Sequence, residues 1–392
     1  MALSTVLQAR AHVGDVLDTV EVTEDPDVTG RLHIDASFGL ITLEDGEARW
    51  VCHETITAPE ALVSPRFVQS ASGRWAAWTD FNDEAREGHP VWVSDDRCDW
   101  TPTTGLDDTL VQQVAWRGDE LWVATALQGA QNALFRATDD VFTSVTPPTD
   151  DAFVSLYVDD DAIWALSTDR IALTLWHSAD GETFTTQLLD VDPALPRPLD
   201  GRIALVDPAD PERVWIVLDP VGPDQLVEST DRGASWTVLW EPEGNIGDVE
   251  QSPDGTLFAV LDERAVHSDA AGAFEEVPDL GFASSLAFTS DGLWLGGRTF
   301  ADGTLVARSV DGATLDTVVP PDDIAGPLEC PATSTVATFC DPLWPLLAPR
   351  LDTTEVPTVL PPLPTVPPPP PGACGCTTAE PSPWSFSIRR RR

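Results

Sequence analysis

The stretch "STDRGASWTVLW", from Ser229 to Trp240, sets a serine, an aspartate, a glycine and a tryptophan at fixed offsets ahead of alternating apolar residues. The spacing S-x-D-x-G-x-x-W returns in degraded form along most of the chain. The copies are "LEDGEARW" from Leu43, "SDDRCDW" from Ser94, "ATDDVF" from Ala137, "SADGETF" from Ser178, "SDAAGAF" from Ser268 and "SVDGATL" from Ser309. With Asp45, Asp96, Asp139, Asp180, Asp231, Asp269 and Asp311 as markers, the successive gaps are 51, 43, 41, 51, 38 and 42 residues. A period of this length suits one four-stranded propeller blade, a unit that buries its faces only against its neighbours. The expected fold is all-β: a seven-bladed β-propeller with such a hairpin turn in each blade, followed by a disordered Pro-rich tail.

Each copy has a physical job that needs no catalysis. "QLVES" before the turn and "WTVLW" after it read as two strands of a hairpin. Between them the Asp231 carboxylate can accept backbone N–H bonds, with Ser229 beside it, and Gly233 can supply positive φ. Trp236 then buries apolar surface between neighbouring sheets, which would make Trp236→Ala cost about 3–5 kcal/mol. "DPADPERVW" from Asp207 and "SPDGTLFAV" from Ser252 add further turns, each followed by a strand. Residues 1–14 are read as a signal-peptide remnant and 15–320 as the propeller, with blade bodies at 15–56, 60–104, 108–147, 151–192, 200–243, 246–279 and 282–320. A cap is expected over 321–352, a Pro-rich linker over 353–372 and a C-terminal tag over 373–392. Nine of the fifteen residues from Pro357 to Pro371 are proline, a polyproline II spacer about 45 Å long.

The recurring Asp, Gly and Trp in Trp-rich β repeats resemble the Asp-box (BNR) repeats of sialidase-like, sortilin-like and photosystem-assembly-factor-like propellers. "FGLITLEDGEARWVCHE" and "GPLECPATSTVATFC" resemble a secreted propeller family of myxobacteria. The tail "GACGCTTAEPSPWSFSIRRRR" resembles the C-terminal sorting tag of those bacteria, which implies processing at Cys374 or Cys376. Its twelve residues Thr377 to Ile388 contain two prolines and a glutamate, so they make no spanning helix and the tag is degenerate.

Charge excludes whole classes of partner. The formal net charge is −43, and all 22 basic residues are arginine, which argues against nucleic acid and against anionic lipid. The acidic surface is solubilising, or a salt adaptation. No apolar run approaches a membrane span. Six cysteines, Cys52, Cys98, Cys330, Cys340, Cys374 and Cys376, include no pair of zinc-site C-x-x-C motifs. Disulfides in an oxidising compartment fit better, as does "ALSTVLQARAH", which looks like the end of a signal peptide. Of the three pairings open to the four body cysteines, Cys52 with Cys98 and Cys330 with Cys340 is favoured: the first ties blade 1 to the hairpin of blade 2, and the second closes a short local loop.

No catalytic residue is assigned. The sialidase resemblance implies an arginine clamp and a tyrosine nucleophile paired with glutamate, but the sole tyrosine, Tyr157 in "FVSLYVDDDAIW", alternates with apolar positions as a packed strand residue does. Asp159, Asp160 and Asp161 read as a solvated turn rather than a calcium loop. His12, His33, His53, His89, His177 and His267 are dispersed without metal spacing. No metal and no cofactor is expected. Two functional classes remain. The favoured one is an exported, monomeric, non-catalytic propeller that binds a protein, glycan or cell-surface component through loops around its central channel. The other is a divergent glycoside hydrolase or lyase of sialidase-like fold, working through carboxylates from different blades. Facing carboxylates with an arginine cluster in the channel would favour the enzyme.

Overall fold

The computed structural model describes residues 19–351, apart from 26–27, 58–63, 80–88, 107–108, 128, 191–194, 196–198, 270–271 and 298–302. Residues 1–14 and 353–392, with the candidate processing sites Cys374 and Cys376, lie outside the described residues. The described strands form seven antiparallel sheets at 19–52, 66–102, 111–144, 152–188, 200–240, 246–276 and 286–319. The first strands of successive sheets are neighbours around a ring, so the chain is a seven-bladed β-propeller.

Burial explains the strand patterns. A blade's second strand is covered by neighbouring blades on both faces, so it reads as a near-continuous apolar run: Ile163–Thr168 is buried throughout and Glu120–Thr125 after its first residue. The fourth strands form the rim, and Thr185–Leu188 is largely exposed. A buried aromatic near the start marks the second strand of blades 2 to 7: Trp75, Trp122, Trp164, Trp215, Phe258 and Trp294, each at most 6% exposed. Basic groups lie against several of these rings. Arg136 sits 5.7 Å over Trp122, Arg213 4.5 Å over Trp215 and Arg308 5.7 Å over Trp294, while the His177 ring lies 4.2 Å from that of Trp164. The arginine contacts join apolar packing to a cation–π attraction, while His177, lowered by burial, packs as a ring.

Side chains on the inner strands also link blade to blade. The Leu156 N–H donates to Gln113 Oε1 at 2.8 Å, the Ile203 N–H to Ser155 Oγ at 3.2 Å and the Leu286 N–H to Asp248 Oδ2 at 2.8 Å. Between blades 1 and 2 the same link is made from the second strand, where Asp35 Oδ2 accepts from the Phe67 N–H at 3.3 Å. These polar side chains satisfy donors at the inner edge of the next sheet, which would otherwise be orphaned.

The closed ring is clasped from the C-terminal side. The strand Ile324–Pro327 adds in parallel to the outer strand of blade 1, Glu47–Cys52, with Ile324 beside Ala48 and Pro327 beside Trp50. The helix Thr335–Leu351, α1, follows and buries Val336, Cys340, Leu347 and Leu351 in the blade 1 core. Ser334 caps it, accepting the Ala337 N–H at 3.1 Å. The disulfides correct the expected pairing: Cys52 is bonded to Cys340 and Cys98 to Cys330. The local pairing fails because the segment after blade 7 does not fold back on itself. Running along blade 1, it brings residue 330 to the blade 2 hairpin, where the Val336 N–H donates to Cys98 O, and turns the α1 face bearing Cys340 onto the end of Glu47–Cys52.

Candidate functional site

The repeated aspartates sit in the hairpins between third and fourth strands. Asp231 Oδ1 accepts from Ser229 Oγ and from the Ser235 N–H, each at 2.8 Å, while Ser229 Oγ accepts the Gly233 N–H at 2.7 Å. Gly233 has φ +87°, and a Cβ there would lie 2.6 Å from Leu175 Cδ2 in blade 4. Asp96, Asp180 and Asp311 each accept two backbone N–H groups on Oδ1, and Asp269 accepts that of Ala273. In the blade 2 hairpin Cys98 occupies the glycine position and is itself bonded to Cys330. Donation by the Thr183 and Glu182 N–H groups, then by Ser178, holds Asp180 at about 2; the Thr314 and Ala313 N–H groups do the same for Asp311. Asp45 and Asp139 differ. They occupy tight two-residue turns with positive φ of their own, 52° and 51°, so the backbone makes the turn there. Trp236 is half-buried against the core between blades 4 and 5, less enclosed than the repeat implied; Trp100, in the equivalent place of blade 2, is buried at 3% exposure. Every one of these groups is engaged in shaping a turn.

The channel wall is different. Inner strands from five blades bring together Glu21 of blade 1, Arg66 of blade 2, Tyr157 of blade 4, Arg202 of blade 5, and Asp248 and Glu250 of blade 6. Glu21 and Arg66, 3.9 Å apart, keep 52% and 43% of their side chains open to water, so the space they line admits solvent. Enclosure by the surrounding protein nonetheless raises Glu21; Arg66 opposes the shift and Asp248 adds to it. Burial pushes Glu250 up to about 8, with Asp248 and Glu21 contributing by repulsion. Asp248 is raised by burial against the pull of the Leu286 and Val249 N–H groups and of Arg202. Tyr157 is held protonated, at about 12, by burial and then by Asp159 and Glu250. A phenol so disposed is a poor nucleophile at neutral pH.

Asp159 accepts the Asp161 and Ala162 N–H groups at 2.8 and 2.7 Å and so builds its own turn. Among the described residues no three His, Cys, Asp or Glu side chains approach closely enough to share a metal ion. Clefts flank blade 1 on both sides. One of about 550 Å³ is lined by Arg31, Glu44 and Trp294 toward blade 7, and one of about 280 Å³ by Asp25, Arg31 and Arg97 toward blade 2. Arg31, common to both, is already paired with Asp25 at 3.1 Å and Glu44 at 2.5 Å. The channel set was missed in the sequence, although "TVEVTE" and "IGDVEQ" place acids inside strands.

No family model matches the chain, and no curated protein matches it. Solved structures show the fold. The chain is similar to a Mycobacterium tuberculosis puromycin-hydrolyzing peptidase, with TM-score 0.57 and 14% identity over 83% of this chain and 56% of that one. It is also similar to the extracellular domain of a one-component system from B. thetaiotaomicron, with TM-score 0.53 and 15% identity over 73% of this chain and 38% of that one. The chain thus spans little more than half of the first and well under half of the second.

Proposed function

We propose that the chain is an exported β-propeller that binds a protein or glycan at the cell surface through the mouth of its central channel. The observation that carries this is the convergence of Glu21, Arg66, Tyr157, Asp248 and Glu250 around the axis, where Glu21 and Arg66 meet water, with no hydrogen bond at Glu250 or Tyr157 among the described residues. Polar groups with unspent donors and acceptors are what a pocket uses to orient a ligand. Export is supported by two disulfides that join distant parts of the chain and fit an oxidising compartment. The Asp-box lineage and the degenerate sorting tag belong to the same reading. The test is binding by the full chain on an array of glycans and surface proteins. Glu250→Gln and Tyr157→Phe should each weaken capture about tenfold, the worth of one good polar contact, without lowering the melting temperature. Capture indifferent to both substitutions would refute a channel site.

A second reading, a divergent glycoside hydrolase or lyase, is favoured by one feature: Glu250 stays protonated at neutral pH beside Asp248 and Glu21, as a general acid must. Of its two neighbours Glu21 is the better placed base, because both oxygens of Asp248 accept backbone N–H bonds. Turnover of chromogenic glycosides that Glu250→Gln abolishes would establish it.

A further inference from the structure

We propose that the channel's ligand presents an alkylammonium or guanidinium group, as the lysine or arginine side chain of a polypeptide does, and that Glu250 receives it; this rests on the channel being the binding site. The unmet bonding capacity of the wall points that way. Arg202 is spent on the carbonyls of Ile246 and Gly247, at 2.6 and 2.8 Å, and Asp248 is spent on the Leu286 and Val249 N–H groups. Arg66 offsets Glu21. What remains is acceptors. Among the described residues Glu250 has no hydrogen-bond partner, and the charged groups that bear on it, Asp248 on its own strand and Glu21 across on blade 1, are both acids; Tyr157 on blade 4 is neutral. Independently, Asp35 is only 5% exposed and its Oδ1 has no partner among the described residues, and it lines with Glu21 a narrow cleft between blades 1 and 2. With no cation opposite Glu250 among the described residues, its carboxyl, once it gives up its proton, is completed by a positively charged donor.

The size of that donor follows from the spacing. Because no three of these carboxyls can ligate one metal ion, a bare divalent cation, which needs oxygens within about 2.6 Å, fits less well than an ammonium or guanidinium that reaches several acceptors through separate N–H bonds. The class narrows further. Glu250 gives up its proton near pH 8, and the incoming group must still be charged there, as a lysine ammonium with pKa about 10.4 and any guanidinium are. Binding therefore exchanges one proton on Glu250 for one cation.

The experiment titrates the full chain with the blocked peptide Ac-Gly-Lys-Gly-NH2 and with its ε-acetylated twin. About 0.3 M salt cuts electrostatic reach to about 6 Å and suppresses general attraction to an acidic surface. The expected result is binding of the lysine peptide at least about tenfold tighter than its twin. Its affinity should rise about tenfold per pH unit between about pH 6 and 7.5 and level off above about 8. Calorimetry in two buffers of unlike ionisation enthalpy should count about 0.9 proton released per peptide at neutral pH. Glu250→Gln should remove the slope and the proton. Equal affinity for the twins, no binding of either, or a slope that survives Glu250→Gln would overturn the proposal. If the acetylated twin or a neutral glycan binds and Tyr157→Phe weakens it, the channel site stands and only the cationic ligand falls.

Discussion

Removing the disulfides one at a time and then together distinguishes the clasp from any local pairing. The bonds Cys52–Cys340 and Cys98–Cys330 span 288 and 232 residues of sequence, and either one alone, by the chain-entropy relation, stabilises by about 5.5 kcal/mol. They are not independent. With one bond in place, the other closes only the stretches from 52 to 98 and from 330 to 340, a loop of about 56 residues worth about 4 kcal/mol. Each single pair of Cys→Ala changes should therefore cost about 4 kcal/mol, and all four changes about 10, more than the two single losses together. Local bonds between 52 and 98 and between 330 and 340 would behave otherwise: about 4 and about 2.7 kcal/mol, adding simply to less than 7. The assay is equilibrium unfolding in guanidinium, with cooperativity checked by two probes and mixed-disulfide controls. Strict additivity, or a total near 7, would refute the crossed clasp or the entropic account of it.

The remaining predictions concern packing, protons and salt. Trp215→Ala should cost about 3–5 kcal/mol and Trp236→Ala about half that, because the first ring is fully buried and the second half-exposed; urea midpoints giving the reverse order would show that the turn aromatic, not the second-strand aromatic, anchors the blade. Carboxylates held low in the turns, Asp180 and Asp311 at about 2, contribute stability that is present above about pH 4 and lost as pH falls toward 2. The acids pushed up by burial, Asp35 and Glu250 at about 8, act with the opposite sign: they favour the fold below about pH 4, and that contribution is lost as pH rises toward 8. The melting temperature should peak near pH 4 to 5, and Asp35→Asn should flatten the alkaline side in a calorimetric pH series; a slope left intact by that substitution would remove Asp35 as its source. At neutral pH the charge of −43 should make the melting temperature climb between low and molar salt, and a flat profile would leave solubility as its whole purpose.

How far the sequence could be read depended on whether a feature recurs. The blade count was legible because the hairpin between third and fourth strands repeats an aspartate in every blade, although Asp45 and Asp139 reach the same turn through positive φ instead of a carboxylate cap. A second repeat lay in plain view and went unread: "RWAAW", "LWVAT", "IWALS", "VWIVL", "LFAVL" and "LWLGG" put a buried aromatic early in the second strand of six successive blades. The disulfide pairing was not legible. Proximity in sequence favours short loops, whereas the bonds depend on where residues 324–351 go after the ring has closed, and that is decided by the open edge of blade 1 and the apolar face of α1.

The channel set resisted for a reason built into the architecture. A propeller's inner strand meets its neighbours across the axis, so Glu21 and Glu250, separated by most of the chain, act on each other's protons while the residues between them build four other blades. In a chain with 65 acidic residues, one glutamate inside a strand carries no distinguishing mark. What distinguishes Glu250 is the absence of an opposing cation among the described residues: several arginines are committed elsewhere, Arg74 to Asp140, Arg136 to Glu182, Arg213 to Glu228, Arg308 to Asp291 and Asp316. These pairs hold hairpins and neighbouring blades together at the periphery. On the channel wall itself Arg66 is offset by Glu21 and Arg202 is spent on backbone carbonyls, so neither bears on Glu250, and the ligand proposed above would meet that carboxyl without a competing cation.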